Sequence, residues 1–277
     1  ETPVVYIDEV SYFEFSNINQ IDEVNYDSSK EFGYMLEVLP STGHISLNGV
    51  TYSYNADDGA NNTYYISTSS IVAKGVKIGK VEFKITPIVY INELDYETNN
   101  YIVLDSISRV VTFKVNSRAR DIKVSKEDVT IAPKNTTNFV ITIETSNLEI
   151  DETNNTIEFL SPLDVFVNGQ KYVIDVTTKK FSFEKVGSVY NLKDFSFDIN
   201  YELIKMTFNS CSISLTDTDT LNSKYTYNVT IGALVSFNTY YYRTHADEFD
   251  LNTISYTYRF TPRSNSSVSD SVVVYIS

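Results

Sequence analysis

Tyr225-Thr-Tyr227-Asn-Val229-Thr-Ile231 alternates apolar and polar residues at every step. In an extended chain successive side chains point to opposite faces. The stretch therefore gathers Tyr225, Tyr227, Val229 and Ile231 on one side and leaves Thr and Asn on the other. The same rhythm recurs in Val81–Thr86, Val111–Val115, Phe139–Glu144, Phe195–Ile199 and Ile254–Phe260. Residues on the apolar side are β-branched or aromatic, which suits a pleated, half-buried surface. No stretch of helical length keeps an i, i+3, i+4, i+7 stripe. The chain reads as all-β, and its strands as antiparallel β-sandwiches.

The turns agree. Ile45-Ser-Leu47-Asn48-Gly49-Val-Thr-Tyr52 and Val165-Phe-Val167-Asn168-Gly169-Gln-Lys-Tyr172 each place Asn-Gly between two alternating runs, the signature of a two-residue hairpin. Elsewhere Asn and Asp make the turns, at Asn99-Asn100, Asn154-Asn155 and Asp217-Thr-Asp219, because both tolerate left-handed backbone. One parity break stands out. Ile204, Met206 and Phe208 hold one parity, and Cys211, Ile213 and Leu215 the opposite one, a switch that predicts a bulge or turn near Asn209-Ser210.

A weak similarity suggests a repeat. Val5-Tyr6-Ile7-Asp8-Glu9-Val10 is echoed by Val89-Tyr90-Ile91-Asn92-Glu93-Leu94 and more loosely by Val189-Tyr190-Asn191-Leu192-Lys193. These echoes predict three immunoglobulin-like sandwiches over 1–87, 88–187 and 188–277, with joints at Pro87 and Gly187. Two domains, or a single large sandwich, are the alternatives that the length allows.

The 277 residues include 22 Tyr and 16 Phe but only 9 Gly, 2 His, 1 Cys and no Trp. No Gly-rich loop is present to cradle phosphate. One Cys builds neither an internal disulfide nor a cysteine zinc site. The two His, His44 and His245, leave acid–base catalysis short of its usual residue. The expectation is a non-enzymatic chain. A net charge of −14 opposes binding to nucleic acid or to an anionic membrane surface. No apolar run approaches the roughly 18–20 residues of a membrane span, so no direct membrane insertion is expected.

Candidate residues follow from these limits. Cys211 shares its face with Ile213 and Leu215 and reads as a buried, inert thiol. The oxygen-rich Asp57-Asp58 loop, and Asp217 with Asp219, are the places where structural Ca²⁺ is conceivable, although the first lacks EF-hand spacing. Five Asn-x-Ser/Thr sequons occur, at Asn61, Asn135, Asn154, Asn228 and Asn265. That is about the number that chance gives in a chain this rich in Asn, Ser and Thr. Three consecutive rings, Tyr240, Tyr241 and Tyr242, cannot all face one core, so at least one points outward, toward a protein or glycan partner.

The excess of Asn, Ser, Thr and Tyr with almost no Cys resembles the composition of surface-layer and pilus-type proteins of archaea and bacteria. That resemblance implies an extracellular or cell-surface structural subunit that binds copies of itself or other surface proteins. A virion or phage decoration protein, and a carbohydrate-binding adhesin, are the alternatives. Assembly could use a donated end strand, either Val4, Val5, Tyr6 and Ile7 or the terminal Val272, Val274 and Ile276. The competing reading makes each simply the first or last strand of its own sandwich.

Overall fold

A computed structural model describes residues 2–15, 32–57, 62–90 and 101–277. The chain divides into two compact units, Glu1–Asn116 and Ser117–Ser277. Unit 1 contains β1 (Val4–Tyr6), β2 (Val10–Glu14), β3 (Phe32–Leu39), β4 (His44–Leu47), β5 (Val50–Tyr52), β6 (Thr63–Ile66), β7 (Ser70–Lys77), β8 (Gly79–Tyr90), β9 (Tyr101–Val103) and β10 (Arg109–Asn116). One sheet runs β1-β10-β8-β3-β6, with β9 added beside β8; the other runs β2-β7-β4-β5. Leu36, Val81, Phe83 and Phe113 from the first sheet meet Ile45, Leu47, Ile71 and Ala73 from the second in one core.

Unit 2 contains β11 (Asp121–Val124), β12 (Asp128–Ile131), β13 (Thr136–Thr145), β14 (Leu148–Asp151), β15 (Thr156–Phe159), β16 (Leu163–Val167) and β17 (Gln170–Ile174). It continues with β18 (Phe181–Val186), β19 (Val189–Leu192), β20 (Phe197–Tyr201), β21 (Ile204–Asp219), β22 (Lys224–Phe237), helix α1 (Thr239–His245), β23 (Ser255–Pro262) and β24 (Asp270–Ile276). The larger sheet contains the order β11-β13-β22-β21, and the smaller reads β12-β24-β23-β16-β17. In immunoglobulin lettering these are A-B-E-D against A′-G-F-C-C′. Two excursions decorate the plan, β14–β15 between strands B and C and β18–β20 between C′ and D. Unit 1 follows the same plan, with β2, β7 and β4 as B, E and D, and β3, β8 and β10 as C, F and G. The fold is thus all-β, a tandem of immunoglobulin-like sandwiches.

The expected threefold division does not hold. Pro87 lies inside β8, directly opposite Tyr34 of β3, and β10 completes the same sheet, so residues 88–116 belong to unit 1. Gly187 sits in the tight turn between β18 and β19, with φ of 61°. The three echoes of Val-Tyr fall on β1, on the end of β8 and on β19, three unlike places. Strand pairing, and not short-range similarity, sets the boundaries. Residues 91–100, which carry most of the second echo and the Asn99-Asn100 turn, lie outside the described residues.

Local chemistry holds the sheets in register. Both Asn-Gly turns have positive φ at both central residues, 50° and 84° at Asn48-Gly49 and 48° and 86° at Asn168-Gly169. In each, the Asn also grips the neighbouring strand. The Asn48 N–H donates to Val72 O at 2.9 Å, and the Val72 N–H returns a bond to Asn48 Oδ1 at 2.8 Å. Asn168 and Thr257 repeat the exchange at 3.0 and 2.9 Å. Each turn residue thus continues a ladder with its side chain. The bulge expected at Asn209-Ser210 is present as a register shift between Phe208 and Ser210. A helix was not expected. The short α1 forms because the Asn238 side chain accepts the Tyr241 N–H at 3.0 Å, satisfying a first-turn donor. Asp217-Thr-Asp219 is strand, and the reversal comes after it, with Ser223 at φ of 50°.

Gly75 is a tight point in unit 1. The chain passes from one sheet to the other at Ile7-Asp8, with Asp8 at φ of 59° and its N–H donating to Gly75 O. A Cβ on Gly75 would lie 2.8 Å from the Tyr6 backbone and from a Val115 methyl. Gly75→Ala is expected to destabilise the protein by about 1–3 kcal/mol, the range for overpacking, read as a lower urea midpoint. Asn168→Ala is expected to cost about 1–2 kcal/mol, through the lost bond and the left-handed alanine. Thermal unfolding of that variant checks it.

Candidate functional site

Sandwich formation requires each apolar sheet face to meet another, and on two described surfaces it does not. The first is the outer face of the four-stranded sheet in unit 1. Tyr12 pairs directly with Val72 across β2 and β7, and Val10 pairs with Lys74. Tyr12 is 79% exposed, and Val10, Val72 and Val76 are also open to solvent. The Lys74–Asp8 ion pair, at 3.8 Å and exposed, lies beside this row. Sequence reasoning missed it. The available signal was Tyr12-Phe13, two adjacent rings that a single strand cannot bury on one face.

The second is an arm. β21 and β22 pair over fourteen positions and run past the end of the core. Their inward face continues through Leu215 and Tyr225, both exposed, and the turn beyond holds Leu221, which is 94% exposed. The arm is braced. Arg120 reaches Asp217 at 3.2 Å and Glu144 at 3.5 Å. Thr216 Oγ1 donates to Thr226 O at 3.1 Å, and the Ser146 and Thr226 hydroxyls bond at 3.0 Å. At the tip, Asn222 donates through its backbone and side chain to Asp219. A lone leucine in the polar run Thr218–Lys224 was the readable sign of it.

The end strands are used internally. Val4, Val5 and Tyr6 pair in parallel with Lys114, Val115 and Asn116, and Val5 is fully buried. Ile7 bridges to Gly75. Val272, Val274 and Ile276 are buried on β24, which has β23 on one side and β12 on the other. The structure thus places both segments within their own sandwiches, β1 paired along one side and β24 along both. Of the three tyrosines, Tyr240 projects outward at 79% exposure. Tyr242 packs against Phe237, and Tyr241 stacks on His245 with ring centroids 4.1 Å apart.

The acidic candidates do not converge. Asp57 is exposed, with its N–H bonded to Asn55 Oδ1, and Asp58 lies outside the described residues. Asp217 and Asp219 are committed to Arg120 and Asn222. Among the described residues no three His, Cys, Asp or Glu side chains gather as a metal site. Of the sequons, Asn135 is exposed in a turn, and Asn154 is exposed with its amide donating to Asp151 at 2.8 Å. Asn228 is partly buried on β22, and the Asn265 amide donates to Ala119 O at 2.8 Å. Asn61 lies outside the described residues.

One exposed polar cluster forms on the excursion of unit 2. Glu152 accepts hydrogen bonds from Tyr190 and from Lys185, whose ammonium lies 4.8 Å from the Tyr190 ring centroid. The bonds from Tyr190 and Lys185 hold the Glu152 carboxyl below its ordinary value. The cluster stands on open surface, so it serves to fasten β18 and β19 to the β14–β15 turn. A cavity of about 40 Å³ lies in the same unit, lined by Ile143, Phe159, Leu163, Val176 and Ile231, with a few hydroxyl and amide groups and no titratable side chain. No described helix is long and apolar enough to cross a membrane.

No family model matches the chain, and no curated protein matches it. Solved structures overlap it loosely. Domains 4 and 5 of the S-layer protein SbsC align over 88% of this chain and 70% of that one, at 11% identity and a TM-score of 0.21. Murine CEACAM1b aligns over 99% and 95%, at 12% identity and 0.28. Titin domains Z1Z2 in complex with telethonin align over 99% and 90%, at 8% identity and 0.19. Overlaps this loose transfer neither a fold nor a role.

Two predictions concern the buried groups. Cys211 is buried at the bulge, and desolvation pushes its thiol far above the ordinary value. It is expected to resist a thiol reagent until the chain is unfolded with denaturant, a sign that it is packing and not a nucleophile. Burial also pushes the Tyr34 and Tyr227 phenols up to about 12, and raises those of Tyr256 and Tyr258 further. A phenol that stays neutral in the folded chain but ionises near 10 when unfolded stabilises the fold fully below pH 10. That stability is lost as pH rises through 10 to 12. Alkaline titration is expected to show cooperative unfolding in this window, with a step in phenolate absorbance.

Proposed function

We propose that this chain is a non-enzymatic structural subunit of an extracellular surface assembly, joined to copies of itself or to other surface proteins through sandwich-surface contacts. The observation that supports this reading is Leu221, a nearly fully exposed leucine held at the tip of a braced arm. A single exposed leucine on a flexible loop would need no explanation. Here it lies at the end of a ribbon that also exposes Leu215 and Tyr225, and ion pairs and hydroxyl bonds hold the ribbon in place. Ordering an interface before contact reduces the entropy lost on binding. The exposed Tyr12 face of unit 1 supplies a second, unlike surface. Contact between unlike surfaces propagates into rings or filaments, whereas a self-complementary patch closes as a dimer.

The reading is tested by Leu221→Glu and Tyr12→Lys, separately and together. Each is a surface change, expected to shift folding stability by less than about 0.5 kcal/mol. Each is expected to lower the assembled fraction in sedimentation velocity and negative-stain images. A wild-type chain that stays monomeric at high concentration, or an assembly unaffected by the double variant, counts against it.

A further inference from the structure

Tyr65 of β6 and Tyr101 of β9 meet on the outside of the larger sheet in unit 1. The Tyr101 hydroxyl donates to the Tyr65 oxygen at 2.7 Å. Their ring centroids are 5.4 Å apart, with planes tilted by 51°. Tyr65 is exposed, and Tyr101 is half-buried. Other close tyrosine pairs differ. Tyr52–Tyr64 packs edge-to-face inside the core, and Tyr172–Tyr201 and Tyr201–Tyr256 are also edge-to-face, with the buried Tyr256 hydroxyl given to Glu202. Only the Tyr65–Tyr101 pair, among the described residues, presents two phenols oxygen to oxygen at an exposed position.

Composition sharpens the point. A protein's easily oxidised side chains are Cys, Met, Trp and Tyr. This chain has no Trp, its one Cys is buried, and of its two Met, Met206 is fully buried and Met35 half-buried. Oxidising equivalents reaching the surface have tyrosine as their main sink. We propose that Tyr65 and Tyr101 are a site of oxidative phenol coupling, in which an oxidant of the peroxidase and hydrogen peroxide class joins the two rings.

The step balances. Each phenol gives up its O–H proton and one electron, leaving two phenoxyl radicals. Their unpaired electrons form one carbon–carbon bond between a ring carbon ortho to each oxygen. The two displaced ring hydrogens then move to the oxygens and restore both phenols. Two protons and two electrons leave in total, and one hydrogen peroxide takes them up to become two waters. The product ties edge strand β6 to β9, closing a loop between residues 36 apart in sequence. A bridge over such a loop restricts the unfolded chain and so favours the folded one.

The experiment treats dilute monomeric protein with horseradish peroxidase and limiting hydrogen peroxide. Dityrosine fluorescence is expected in the monomer band, with a mass loss of two hydrogen atoms. Digestion is expected to yield one cross-linked species that joins the peptides of Tyr65 and Tyr101, and the treated chain is expected to melt at a higher temperature. Tyr65→Phe and Tyr101→Phe keep both rings and are expected to remove most of the monomer signal. Circular dichroism verifies that they fold. A monomer that acquires no dityrosine overturns the proposal, as does a cross-link that maps to other tyrosines. The peptide map of the wild-type protein decides the matter even if a variant fails to fold. The result is independent of whether the chain assembles.

Discussion

Each described sheet in this protein has an apolar face turned to a core, and water drives that face against another. Burying a large aliphatic or aromatic side chain is worth about 1.5–3 kcal/mol. Rows such as Tyr256, Tyr258 and Phe260, or Val81, Phe83 and Ile85, therefore fix which sheets must meet. The two sandwiches are the solution of that requirement within each unit. Its incomplete solution is informative too. The Tyr12 face has no second sheet over it among the described residues, and the Leu221 arm carries the inward stripe of β21 and β22 beyond the core.

The chain ends are secured by the same physics. Each unit closes with its first strands bound to its last, β1 parallel to β10 and β12 parallel to β24. Parallel pairing of sequence-distant strands ties the start of each unit to its end, with β1 and β12 as the outermost strands of their sheets. The strands that look most available in the sequence are thus the ones already paired within their own units. Asn48 and Asn168 show how little glycine this takes. One asparagine per turn supplies both the left-handed backbone and two bonds to the next strand.

Much of the fold was legible residue by residue. The alternation in β8, β13, β22 and β23 was read correctly because period two is a local property. So were the two Asn-Gly turns and the bulge before Cys211. Domain boundaries were not legible, because Pro87 looks like a joint only until β3 and β10 pair on either side of its strand. Helix α1 escaped notice because seven residues are too few to show a helical stripe, and its cap at Asn238 resembles the strand-ending asparagines found throughout the chain. The surfaces were half legible. Tyr240 was expected to include an outward ring in its run, whereas Tyr12, Leu215 and Tyr225 sit in ordinary strand sequence.

The sequence by itself determined the class of structure and the inward parity of most strands, since these depend on neighbours one to four residues apart. The tertiary structure decided the rest. It made the units two in number, placed the end strands inside their own sheets, brought Tyr65 to Tyr101, and left the Tyr12 row and the Leu221 tip open to solvent. Each of those outcomes depends on which distant strands lie side by side, and period-two patterning says only that a face must be covered, never by what.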